Sequence, residues 1–360
     1  MTERGAATVG LAVAAAALLP AVAAWPGVGP ADRITLLIGL AGGTIAFVAF
    51  SGVRHGAVST RGGVVLAVIG GVCIIFAGVV GVIGAPAVET RRTLRAIAWL
   101  LLGAAAIGLA NGMRTGVDLR TILQRASLLL FTGGIGLLAL YVAGTTGYLV
   151  EAALGAISEP GILARFGARQ VGVGIGFVAV AVVTVLAIEG NLEWIDLRLL
   201  NRSDVVTVVA GIVGIIAIAG AVTVVYWLLD VPTTEHAVHR MGQEAGPEVV
   251  LIAIPLTWIG AVIGEELVYR NVIQKYLTER WTASAAIIAS SAIFAVVHLP
   301  AFTPGAPVEL GAAVLAVFTI SLVLAVAYHR TGNVVVPMII HGIYNVIIYV
   351  GIYAQLAGLW

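Results

Sequence analysis

The segment G-E-E-L-V-Y-R-N-V-I-Q, from Gly264 to Gln274, places three charged side chains in a stretch that is otherwise lipid-soluble. Two adjacent carboxylates at bilayer depth are costly, so Glu265 and Glu266 require partners, water or a function. Arg270 follows Glu266 by four residues, which places the two on one helical face where they can pair. The side chain of Glu265 points about 100° away from that of Glu266 around the helix axis. The spacing therefore predicts one carboxylate that is paired and one that is free to act.

The composition around this segment is that of an integral membrane protein. Of the 360 residues, 60% are hydrophobic and 10% are charged, a balance outside the range of soluble globular domains. A spanning helix needs about 20 apolar residues, and the apolar runs predict an all-α, polytopic transmembrane bundle of about eleven spans. No basic cluster with interleaved aromatic residues is present, so the lipid bilayer is an expected partner and nucleic acid is not.

Three regions follow one another along the chain. Residues 1–147 are predicted to form an N-terminal transmembrane bundle of unknown role, because none of its spans contains an ionisable group. Its first span is expected to be retained rather than cleaved as a signal. Residues 148–170 are more polar and are predicted to form a connector that lies along the membrane interface as an amphipathic helix. Residues 171–360 are predicted to form the C-terminal intramembrane domain.

The basic residues indicate an orientation for this C-terminal domain. With eleven spans, Lys275, Arg280 and Arg330 fall on the inner side, as the positive-inside rule requires. We therefore expect a multi-pass cell-membrane protein whose site opens toward the cytoplasm. His236 and His239 occupy a polar segment without a third evident ligand, and we interpret them as solvated loop histidines rather than a metal site.

Polar side chains from three spans are expected to meet at one depth. Counted from the inner ends of their helices at 1.5 Å per residue, Glu265 lies about 21 Å deep and His298 about 22 Å. By the same count His341 lies about 12 Å deep and Asn345 about 18 Å. All four fall in the middle or inner half of a hydrocarbon layer about 30 Å thick, which predicts a shared polar cavity.

A carboxylate, two imidazoles and an amide suit hydrolysis by activated water. Glu265 can take a proton from water that His298 helps to position, and His341 with Asn345 can donate hydrogen bonds to an oxyanion. Alternatively, Glu265, His298 and His341 can hold a zinc ion that activates a bound water. The residues leave both mechanisms open. An ion-coupled transporter is a further alternative, although the paired broken helices typical of transporters are not evident.

Three stretches carry a resemblance to a known family. E-E-L-V-Y-R (265–270), F-A-V-V-H (294–298) and H-G-I-Y-N (341–345) match the order and spacing of the three motifs of the CPBP family. This family, also called Abi, includes CAAX prenyl proteases and bacteriocin-processing or bacteriocin-immunity membrane proteins. The resemblance covers roughly residues 204–351 and implies a helical intramembrane endopeptidase.

The resemblance also implies roles for four residues. Glu265 would activate water, His298 would act with it, and His341 and Asn345 would form the oxyanion site. The implied substrate is a membrane-associated protein or peptide, for which prenylated C-terminal tails are one class. Both a zinc mechanism and a metal-free glutamate mechanism are argued for the family, and a non-catalytic immunity or scaffold protein is an alternative.

The same resemblance assigns Glu266 and Arg270 a supporting role as an ion pair. One departure from the family pattern flanks the arginine. The family often has Phe before it and Gly after it, where this chain has Tyr269 and Asn271.

Overall fold

The computed structural model describes residues 3–24, 30–83, 90–115, 119–228, 237–299 and 307–359. Within these ranges the chain forms twelve helices and no strand. The prediction of an all-α membrane bundle is confirmed. Eight helices are long and apolar enough to cross a membrane, and two further helices contain shorter apolar stretches, so the predicted number of eleven spans is approximate.

The N-terminal helices are α1 (Glu3–Ala24), α2 (Pro30–Arg54), α3 (Thr60–Ile83), α4 (Thr90–Thr115), α5 (Leu119–Ile157) and α6 (Ile162–Glu189). They are followed by α7 (Arg202–Leu228), α8 (Ala237–Ala245), α9 (Glu248–Thr278), α10 (Ala283–Val297), α11 (Pro307–Thr331) and α12 (Val335–Leu356). His239 lies in the short helix α8 rather than in a loop, and His236 lies outside the described residues.

The chain divides into two compact units. The first comprises Met1–Leu130 with Pro304–Gly311, and the second comprises Phe131–Thr303 with Ala312–Trp360. The segment predicted as a connector, 148–170, is mainly helical, since α5 continues to Ile157 and α6 begins at Ile162. Polar residues do not end α5 there because the glutamate, alanines and leucine of E-A-A-L are strong helix formers.

Close packing of small residues characterises the first unit. A Cβ atom added to Gly70 of α3 would lie 2.6 Å from the carbonyl oxygen of Gly42 in α2, so the two backbones approach to a distance that only glycine allows. Trp99 of α4 is fully buried and donates its Nε1 hydrogen to the Ala17 carbonyl at 2.9 Å. The glycine-rich sequence of this unit therefore serves helix packing.

Helix α9 is the central element of the second unit. Two π-helical turns, Trp258–Val262 and Leu267–Gln274, flank the short α-helical segment Ile263–Glu266. A π-helical turn bonds i to i+5 and occurs frequently at functional sites. The two adjacent carboxylates thus lie between widened turns, which set their directions differently from those of a regular α-helix.

Helix α10 is too short to cross a membrane. Its fifteen residues span about 22 Å, less than the hydrocarbon thickness of about 30 Å. The hydroxyl of Thr282 caps its first turn by accepting from the backbone N–H of Ala285 at 3.4 Å. His298 directly follows the last residue of this helix.

Candidate active site

Glu265 of α9 and His298 at the end of α10 face each other. The distance from Glu265 Oε2 to His298 Nε2 is 3.5 Å, slightly longer than a direct hydrogen bond. The Glu265 side chain is 12% exposed and that of His298 is 23% exposed. Both side chains therefore keep a small accessible surface, although they belong to a largely apolar bundle.

The backbone of α10 determines which nitrogen of His298 carries a proton. Nδ1 lies 2.7 Å from the Phe294 carbonyl oxygen, and a carbonyl only accepts hydrogen bonds. Nδ1 is therefore the donor, and in the neutral ring Nε2 presents its lone pair to Glu265. A carboxylate oxygen and an imidazole lone pair, both acceptors, thus face the same narrow space.

A second cluster, formed by Glu266, Arg270 and His341, lies beside this pair. We call it the sealed cluster because all three side chains are buried. Arg270 Nε donates to Glu266 Oε2 at 3.0 Å, and both side chains are completely buried. The other oxygen of Glu266 accepts from His341 Nδ1 of α12 at 2.9 Å. The ion pair expected from the four-residue spacing is present, and it extends to a histidine from another helix.

Ser321 and Phe294 complete the surroundings of the arginine. Arg270 Nη2 donates to Ser321 Oγ of α11 at 3.0 Å, and the guanidinium carbon lies 4.8 Å from the centre of the Phe294 ring. Our interpretation of the sequence missed Ser321. The available signal was a hydroxyl residue inside an otherwise apolar span, F-T-I-S-L-V-L.

The contact with Glu266 limits what His341 can do. With Nδ1 donating to a carboxylate, Nε2 is a donor only when the ring is doubly protonated. Asn345 lies one turn further on the same face of α12 and is half-buried. Its side-chain amide makes no hydrogen bond to another described residue, so this donor is available without a change of protonation.

The two residues that depart from the family pattern belong to the packing of α9. Tyr269 is fully buried, and its hydroxyl donates to the Gly136 carbonyl at 3.2 Å. Asn271 is also buried, and its Oδ1 accepts from the Asp196 backbone N–H at 2.7 Å. These side chains join α9 to α5 and to the loop before α7, and neither is paired with Glu265 or His298.

Gly342, the second residue of the third motif, allows α12 to approach α9. A Cβ atom at this position would lie 2.0 Å from Cζ2 of Trp258. We expect Gly342→Ala to lower the free energy of unfolding by about 1–3 kcal/mol, the usual effect of overpacking. Gly351→Ala on the same helix, where a Cβ would meet nothing within 4 Å, is the matched control and should be neutral or stabilising. Thermal denaturation in detergent compares the two, and equal midpoints would contradict this packing role.

The donor atoms can be compared with the zinc set considered from the sequence. Glu265 and His298 offer two donors, and His341, whose Nδ1 donates to Glu266, keeps the Nε2 lone pair of its neutral ring. Within the described ranges no three His, Cys, Asp or Glu side chains are grouped so as to hold a metal ion. The three-ligand site Glu265–His298–His341 is therefore not assembled here, and the use of zinc stays a prediction.

Residues 247–347 match the family model described as Type II CAAX prenyl endopeptidase Rce1-like. The matched segment contains all three motifs, begins just before α9 and includes no part of α1–α7. The resemblance to the CPBP family is thereby confirmed, and the match supports an intramembrane endopeptidase at the level of the family. No curated protein and no solved structure matches the chain.

Proposed function

We propose that this protein is a membrane-embedded endopeptidase that hydrolyses peptide bonds with a water molecule held between Glu265 and His298. The single observation that carries the proposal is the 3.5 Å approach of Glu265 Oε2 to His298 Nε2. A water molecule that donates one hydrogen to each acceptor directs its lone pairs toward a substrate carbonyl. Removal of its proton by a neighbouring base then produces the nucleophile.

The reaction proceeds through a tetrahedral intermediate. The water oxygen bonds to the carbonyl carbon while its proton passes to Glu265, and the carbonyl oxygen becomes negatively charged. The C–N bond then breaks, and the leaving nitrogen takes the proton from Glu265. His298 keeps the water oriented throughout, because its Nδ1 is held by the Phe294 carbonyl.

Asn345 and His341 are proposed to stabilise the oxyanion. The Asn345 amide donates in any protonation state, and His341 donates from Nε2 when its ring is doubly protonated. The Glu266 carboxylate, 2.9 Å from Nδ1, compensates the positive charge of that ring. Arg270 in turn compensates Glu266, so the sealed cluster supports the oxyanion site electrostatically.

We propose that the substrates are membrane-associated proteins, with prenylated C-terminal tails as the first class to test. The family match supports a membrane-associated substrate, and the partial exposure of Glu265 gives access to a segment that enters the bilayer. From the placement of Lys275, Arg280 and Arg330 we propose that the site opens toward the cytoplasm.

Cleavage assays on the full-length protein in nanodiscs test this proposal. Matched peptides with a farnesylated CAAX tail, the same unmodified tail and a different membrane anchor would be followed by mass spectrometry. We expect cleavage of at least one anchored peptide, and faster cleavage of the farnesylated tail than of its unmodified form. If no peptide is cleaved, the proposed activity is contradicted, and if only another anchor is accepted, the proposed substrate class is contradicted.

Because the mechanism uses only side chains of the protein, we expect 1,10-phenanthroline to leave the cleavage rate unchanged. The chelator is added to the protein after exhaustive dialysis, and a parallel sample receives added Zn²⁺ to test for recovery. Loss of cleavage that Zn²⁺ restores would contradict the metal-free mechanism while leaving the endopeptidase function in place.

A further inference from the structure

The segment between α6 and α7, residues 191–201, lies by its connections at a membrane surface. It joins two candidate spans, and α7 has 27 residues, which span about 40 Å. This length exceeds the hydrocarbon thickness of about 30 Å, so the ends of α7 reach the headgroup layer. We refer to residues 191–201 as the α6–α7 loop.

Asp196 fixes the middle of the α6–α7 loop to two helices and to the residue that precedes a third. Its carboxylate accepts from Lys275 Nζ at 2.7 Å and from the Tyr328 hydroxyl at 2.5 Å. Its backbone N–H donates to Asn271 at 2.7 Å, and its carbonyl accepts from the Val334 N–H at 2.9 Å. These four hydrogen bonds anchor the middle of the loop at Asp196.

Arg198 anchors the next part of the loop, in which two neighbouring leucines are exposed. Its guanidinium donates to both oxygens of Asp204, at 2.6 and 3.1 Å, and to the Thr331 carbonyl at 2.9 Å. Leu197 and Leu199, on either side of Arg198, are 64% and 94% exposed.

We propose that the α6–α7 loop is a lipid-binding edge that inserts Leu197, Leu199 and Leu200 at the boundary between phospholipid headgroups and acyl chains. Leu200 is also exposed, at 37%, so three neighbouring apolar side chains protrude from an anchored loop at headgroup depth. The exposed Arg202 follows at the start of α7 and supplies a cation for lipid phosphates, as basic residues do at bilayer surfaces. This inference does not depend on proteolytic activity.

Spin-label accessibility tests the proposed lipid contact in the full-length protein. In a Cys73→Ser background, which removes the single cysteine, Leu199→Cys is labelled with a nitroxide. The protein is placed in nanodiscs of phosphatidylcholine and phosphatidylglycerol. Collision rates with oxygen, which concentrates in lipid, and with a water-soluble nickel chelate are measured. Glu193→Cys, at an exposed position of the same loop, is the matched control.

We expect the label at position 199 to collide more with oxygen than with the nickel chelate, and the label at position 193 to show the reverse. A label at 199 as open to the nickel chelate as that at 193 would place the leucines in water and overturn the proposal. Protection of the 199 label from both reagents would also overturn it, because the leucines would then be covered by protein. Since Leu199 is 94% exposed, its replacement removes no packing contact on which folding depends.

Discussion

Glu265→Gln is expected to lower the rate of peptide cleavage by about 100- to 10,000-fold, the usual contribution of a general base. Glutamine keeps the size of the side chain and can still hydrogen-bond, but it cannot take a proton from the water at His298. The apparent melting midpoint should stay within about 2 °C of the wild-type value, since a change of about 1 kcal/mol shifts the midpoint of a chain of this length by about 1–2 °C. Mass-spectrometric cleavage rates and thermal denaturation of the same preparations measure both quantities.

Two further variants make this test specific. Glu279→Gln removes a carboxylate that is 40% exposed and paired with Arg280 at the surface, and we expect it to cleave at the wild-type rate. His298→Ala should lose activity to a similar degree as Glu265→Gln, and the double variant should be no slower than the slower single variant, because residues that act as a unit are not additive. Full multiplication of the two losses would show that they act independently, contrary to a shared water molecule.

Arg270→Met is expected to cause the largest loss of stability, about 3–5 kcal/mol, because it leaves the buried carboxylate of Glu266 without its main counter-charge. The two side chains are fully buried and only 3.0 Å apart, so water cannot replace the guanidinium. Thermal denaturation in detergent and the yield of folded protein measure this effect.

The double variant Arg270→Met with Glu266→Gln separates charge from packing. Removing both charges takes away the unpaired carboxylate, and replacement of a buried ion pair by neutral side chains is often close to neutral. We expect the double variant to recover most of the lost stability while cleavage stays impaired, since His341 then has no charged partner. A single Arg270→Met variant as stable as wild type would contradict the structural role of the pair.

Helix periodicity accounts for what could be predicted of the site from sequence. The four-residue spacing of Glu266 and Arg270 indicated the pair that the structure contains. The lengths of α9 and α10 indicated that Glu265 and His298 reach similar depth, and the structure brings them to 3.5 Å. These inferences depend only on the rise per residue and the number of residues per turn within a single helix. Both are known once the sequence indicates that the segment is helical.

Features that depend on contacts between helices could not be read from the sequence. The sequence interpretation treated the segment around Glu265 and Glu266 as regular α-helix, whereas π-helical turns lie on both sides of it. The bonds of Ser321 to Arg270 and of His341 to Glu266 join residues 51 and 75 positions apart, and no spacing rule connects helices at such separations. The helical parts of the segment 148–170 belong to α5 and α6, because charged residues at the end of an apolar run can continue the same helix.

The most direct test of the mechanism follows oxygen atoms through one turnover in H₂¹⁸O. The enzyme, in excess over an anchored peptide that it cleaves, would complete a single turnover, and the new carboxyl group and the Glu265 side chain would be examined by mass spectrometry. Direct attack by water held between Glu265 and His298 predicts one ¹⁸O atom in the new carboxyl group and none in Glu265. An ¹⁶O atom transferred from the protein to the product, with ¹⁸O appearing in Glu265, would contradict it.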